Sequence, residues 1–206
     1  MKKAKVVTLL VAATLTVSAL TAYGYGKMIS DGKTISAGKT TVRSEASLAA
    51  YDKNQLVNDA SAIASGEVIS SEAQDDFAGF PATDYVIQVD KVFRGAPGAE
   101  VEIRTQGGEN AKMKYVPDDG FVTFQIGEKV VLFLTDEKGD RPDKEDFGYF
   151  VLGQFQGKFK EEDGKLKNRD YTFDAATFEQ ELDQIEKENK AKGLKKLKAE
   201  PGDAGI

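Results

Sequence analysis

The side chains with any capacity for proton transfer or nucleophilic attack here are carboxylates, lysines, tyrosines and hydroxyls, because the 206 residues include neither histidine nor cysteine. A Ser-His-Asp triad, an imidazole base and histidine-bound zinc or iron are therefore impossible. So are disulfides, thiolate nucleophiles and a lipid-modified cysteine. Paired carboxylates remain open, since an acid and a base at a suitable separation are all that a glycosidase needs. The 34 acidic side chains make such a pair easy to imagine and impossible to place from sequence. No catalytic residue and no cofactor is assigned.

Two stretches offer binding chemistry. The loop from Asp136 to Asp146 carries Asp136, Asp140, Asp143 and Asp146, and oxygen ligands of this kind suit calcium. Its spacing does not match an EF-hand, and three basic residues interrupt it, so a solvated hairpin loop is the plainer reading. Gly107-Gly108 would let a backbone approach a ligand closely, or would simply turn a strand into a loop. Between two glycines, Gln154 and Gln156 form either an exposed recognition edge or part of a bulge with Phe155 in the core.

Charge narrows the partners. With 28 basic residues against the 34 acidic ones the net charge is −6, and removal of Lys2, Lys3 and Lys5 with a leader makes it more negative. That sign disfavours nucleic acid and anionic membrane surfaces. The aromatic residues, among them Phe93, Phe124 and Phe133, read as core, since stacking on bases would need a positive groove.

Those side chains must be positioned by elements with readable boundaries. Residues 1–26 combine a basic start with an uncharged apolar run, which predicts a cleaved signal peptide or, alternatively, an uncleaved anchor. Either places the rest outside the membrane. Residues 27–46 are rich in Ser, Thr, Gly and Lys and read as a flexible tether. Residues 47–187 read as one domain. A helix is expected from Leu48, Tyr51 and Leu56, then strands over Ala62–Ser71, Ala82–Arg94 and Glu100–Thr105. The apolar phase slips at Gly66, which calls for a bulge or bend. Gln106 to Phe121 reads as a long polar loop. Lys129–Thr135 (KVVLFLT) is apolar on both alternations, as a strand covered on both faces must be. Short strands follow at Tyr149–Leu152 and on either side of Gly164. A helix capped by Asp174 then presents Phe178, Leu182 and Ile185. Residues 188–206 read as a basic, disordered tail.

The expected fold is mainly β, a small OB-like Greek-key barrel with an N-terminal and a C-terminal helix, with a sandwich as the alternative. Five stretches carry a resemblance: Leu56-Val57 before Ala62–Val68, then Tyr85–Gly95, Gly107-Gly108, Gly127–Leu134 and Gly153–Phe159. In this order they resemble a loose group of exported bacterial proteins whose barrel is similar to that of netrin-like modules and tissue inhibitors of metalloproteinases. The resemblance implies an OB-type fold over roughly Tyr51 to Ile185. The inhibitors chelate zinc through an N-terminal cysteine, which this chain lacks.

The functional expectation is an extracytoplasmic, non-enzymatic binding module for an unknown protein or cell-envelope partner, touching the membrane only through its leader. The alternatives are a secreted carboxylate-dependent hydrolase of polysaccharide or peptide and a passive, membrane-anchored envelope protein.

Overall fold

Lys129–Thr135 is buried from Val130 onward, and its alternating side chains serve two different cores. Val131 and Phe133 face one, Val130, Leu132 and Leu134 the other. This is why the run is apolar on both alternations, as a strand covered on both faces should be. The computed structural model describes residues 35–36, 39–43, 50–117 and 119–197. The expected leader over 1–26, Leu48, and much of the expected tether and tail lie outside them. Among the described residues no helix is long and apolar enough to cross a membrane.

In chain order the elements are β1 (Ile35–Ser36), β2 (Lys39–Arg43), α1 (Lys53–Asp59), β3 (Ala62–Asp75), β4 (Pro81–Arg94), β5 (Glu100–Gln106), β6 (Gly108–Glu109) and β7 (Met113–Val116). There follow β8 (Lys129–Thr135), β9 (Phe150–Val151), β10 (Lys158–Glu162), β11 (Lys165–Lys167), β12 (Thr172–Asp174) and α2 (Phe178–Lys192). The main sheet runs β12-β11-β10-β8-β3-β4-β5, with β9 paired to β8. One parallel bridge, Ile103 to Tyr149, joins β5 to the residue before β9. The circuit β3-β4-β5-β9-β8 is thus joined at each step, yet its β5 seam is a bridge and not a ladder. The fold is mainly β, its sheets are not closed, and its layering is that of a barrel-like or sandwich-like β fold.

Gly66 sits where the β3–β4 register shifts, after Ser65. A Cβ there would intrude on the carbonyl oxygen of Gln88 and the side chain of Ile87, so only glycine lets β4 cross this closely. The barrel interior is filled by Val68, Ile87, Val101, Ile103, Leu132 and Leu134. Outside it, Phe133, Phe159, Phe173 and Phe178 cluster under the two helices.

Seven residues make too short a helix to persist alone. Asp52 caps α1 by accepting from the Gln55 N–H at 2.7 Å, while Leu56 and Val57 anchor it in the core. In α2, Phe178, Leu182 and Asn189 share the buried face, Glu179 and Glu181 lie in the first turn, and Lys190 and Lys192 in the last. Both charge placements suit the helix dipole.

Four expectations need correction. The segment 27–46 is not a plain tether: β2 pairs in parallel with β7, and β1 pairs with β2. The polar stretch Gln106–Phe121 is not all loop, since β6 and β7 complete that four-stranded sheet. Asp174 is the last residue of β12 and not the helix cap; its carboxylate turns the chain by accepting from the Ala176 N–H at 3.0 Å, and Thr177 stands at the cap position. The tail does not fray at 188. The helix continues to Lys192 and closes in a Schellman-type turn, with left-handed Gly193 and the Leu194 N–H bonded to the Asn189 carbonyl. Beyond it the Leu197 N–H donates to buried Asp59 at 3.0 Å.

Candidate anion-binding site

Strand alternation sets the site. In the β10–β11 hairpin, Phe159 and Leu166 turn inward and are buried, so Lys158, Lys160 and Lys167 project from the opposite face. Lys160 lies directly across from Lys167 in the register. Like charges placed opposite one another destabilise an antiparallel pair. Arg169, two residues past Lys167, extends the same row.

These cations line an open cavity of about 310 Å³ together with Phe155, Val122, Thr123 and Asp119. Glu128 neutralises the inner end. Lys158 Nζ lies 2.8 Å from both its oxygens, Lys160 Nζ is 2.6 Å from one, and the Gln125 N–H donates at 3.0 Å. Burial pushes the Glu128 carboxyl up, but these donors outweigh it and hold it below the usual glutamate range. Burial also pulls Lys158 below an ordinary lysine, against the raising effect of Glu128. Lys158 further donates to the Thr123 carbonyl at 2.6 Å and lies over Phe124, so it is structurally committed.

The outer cations are differently placed. Lys160, Lys167 and Arg169 expose 53%, 39% and 60% of their side chains. For Lys167 the paired carboxylate is Glu162 at 3.8 Å, and for Arg169 it is Asp170 at 3.5 Å, both too long for a strong charge-assisted bond. The Arg169 guanidinium carbon lies 3.6 Å from the centre of the Phe155 ring.

The wall bearing Phe155 is a single 3-10 turn, Gln154–Gly157. Two successive left-handed residues, Gly153 and Gln154, swing the chain into it. Gln156 accepts from the Tyr51 N–H at 2.8 Å and donates to the Gly153 carbonyl at 3.1 Å. Gln154 accepts from the Val122 N–H at 3.4 Å, tying down the opposite wall. Asn168 donates to the Gln156 carbonyl at 2.6 Å. Gln154 and Gln156 are therefore buried and tied into the framework, and half-exposed Phe155 is the residue of this turn that lines the cavity.

The remaining sequence candidates do not converge. Gly107 packs against the Pro117 ring and Gly108 against Thr83, so both serve a close crossing of protein segments. Asp136 pairs with the Ser61 hydroxyl, Asp140 and Asp146 are exposed, and Asp143 is buried between two arginines. Among the described residues no three acidic side chains gather as a metal site would require.

A second polar cluster lies at the β4–β5 end of the barrel. Arg104 clamps Asp84 through two bonds of 2.7 and 2.6 Å and reaches Asp143 at 3.0 Å, while Arg141 holds Asp143 at 2.9 and 2.8 Å. Two buried carboxylates, Asp84 and Asp143, thus share the Arg104 guanidinium. Burial raises Asp143, yet Arg141 and Arg104 outweigh it and hold the carboxyl low. A carboxylate kept ionised by two guanidinium groups is a poor general acid. Asp76 is pushed up by burial, but it spends one oxygen on the N–H groups of Ala78 and Phe80 in a tight turn.

Fold and site together describe a barrel-like β protein with a cationic surface pocket. A scan against protein-family models gives no match, and no curated protein matches the chain in sequence.

The row of cations was missed because net charge was read over the whole chain. The local signal was Lys158-x-Lys160 and Lys167-x-Arg169, placed symmetrically about the Asp163-Gly164 turn. A hairpin puts such residues on one face.

Proposed function

We propose that this chain is an extracytoplasmic, non-enzymatic binding module whose ligand is a small anion held in the pocket between β10–β11 and residues 119–124. The carrying observation is the row Lys160, Lys167 and Arg169, three exposed cations on one face, of which Lys160 shares Glu128 with Lys158 while Lys167 and Arg169 have only longer ion pairs, at 3.8 and 3.5 Å. A binding role is also supported by the chemistry available, since the pocket brings together amines, a guanidinium and an aromatic ring but no activated nucleophile. The basic, apolar start of the chain supports the location, and the netrin-like resemblance supports a barrel used for recognition.

The overall acidity favours a small ligand over a polymer. Exposed Glu161, Glu162, Asp163 and Asp170 border the cations, so a long polyanion would meet repulsion at both ends. At physiological salt charges more than about 8 Å apart are largely screened, which lets a local cluster act against the net charge.

A photo-crosslinking residue at Thr123, on the pocket wall, tests this in intact cells expressing the full chain. The expected result is one discrete adduct on the outer side of the membrane, absent when Lys167 and Arg169 are replaced. Diffuse labelling unchanged by those replacements, or protein retained in the cytoplasm, would count against the reading.

A further inference from the structure

We infer that the pocket takes a free phosphate monoester, an inference that rests on the binding-module reading above. The internal carboxylate sets the comparison. Glu128 offers two oxygens, and these are occupied by Lys158, Lys160 and the Gln125 N–H. Lys167 and Arg169 meet their carboxylates, Glu162 and Asp170, only at 3.8 and 3.5 Å, and Lys160 keeps donors to spare because an ammonium has three.

Lys167 and Arg169, together with the spare donors of Lys160, suit an anion with more than one charge and more than two acceptor oxygens. A second carboxylate supplies one charge and two oxygens in a plane. A phosphate monoester supplies up to two charges and three oxygens arranged tetrahedrally. Arg169 lies over Phe155 at the pocket wall, and guanidinium favours paired contacts with phosphate. The cavity, at about 310 Å³, lies at the small end of ligand sites. Val122 and the Phe155 ring give the ester's carbon portion an apolar wall.

The same phosphate chemistry occurs in lipid headgroups. Exposed Glu162, Asp163 and Asp170 lie beside these cations in the hairpin and the turn after it, and would repel an anionic membrane. That arrangement selects the free ester.

Calorimetric titration of the full chain with glycerol 3-phosphate, acetate and citrate, and sedimentation with phosphatidic acid vesicles, test the inference. Glycerol 3-phosphate is expected to bind saturably, one per chain, and more tightly than either carboxylate. Lys167→Gln or Arg169→Gln should each weaken it about tenfold, with an unchanged circular dichroism spectrum. Citrate or acetate binding as tightly as the phosphate would overturn the phosphate assignment while leaving the binding-module reading in place. Vesicle binding without glycerol 3-phosphate binding would do the same. Absence of saturable binding by every probe overturns the inference, and the Thr123 crosslink then decides the wider reading separately.

Discussion

Replacing Arg104 with methionine lowers the stability of the folded chain by about 3–5 kcal/mol, the usual cost of removing one partner of a buried ion pair. Arg104 and Asp84 each leave only 2% of their side chains exposed. The loss strands Asp84 without its two guanidinium bonds, and Asp143 without one of its two arginines. Arg104 also lies 4.5 Å over the Phe147 ring, which the flexible methionine only partly replaces. Against a typical total of about 5–15 kcal/mol the effect is large. Adding Asp84→Leu should recover part of it, because an apolar pair strands no charge. The acid limb follows from the same cluster. Asp143 is held low in the folded state, so its contribution is complete above the ordinary aspartate range and disappears as pH falls through the depressed value. Urea denaturation at neutral pH and at several acid pH values checks both. A loss under about 1 kcal/mol would mean that water reaches the cluster and that its burial has been misjudged.

Charge reversal at Lys167→Glu with Arg169→Glu abolishes anion binding, a fall of more than about a hundredfold from two lost charge-assisted contacts and the repulsion that replaces them. Stability changes little. Both residues are exposed, where substitutions usually stay within about 0.5 kcal/mol. Lys167→Glu gains an attraction to Lys160 across the strands, worth roughly 0.2–1 kcal/mol, and loses the Lys167–Glu162 pair to a repulsion of similar size. Affinity for glycerol 3-phosphate and the urea midpoint of the same double variant separate the two effects. A destabilised variant that still binds would show that the cations serve the fold.

Much of the barrel was legible because local pattern and tertiary context agree there. KVVLFLT spelled a strand buried on both faces, and the two cores on either side of β8 are what that pattern requires. Gly66 marked the slipped register through its own phase change. Legibility failed where backbone partners come from far along the chain. β2 has no apolar alternation, and it is a strand because Met113–Val116 offers it an edge. β6 and β7 are short and polar for the same reason. At the site, Gln154 and Gln156 were noticed for their position between glycines. Two adjacent left-handed residues reversed which side chains face inward, and that backbone state has no clear signature when one of them is glutamine. The loop Asp136–Asp146 looked solvated because its charges were counted one by one. Arg141 and Asp143 are buried because they satisfy each other.

Chemical-shift mapping with glycerol 3-phosphate on the isotopically labelled full chain asks the central question directly: where does the anion sit? The account predicts saturable shifts concentrated at residues 119–124, 155 and 158–169, with little change at 136–149. Shifts centred on the 136–149 loop, or spread evenly over the surface lysines, would contradict it.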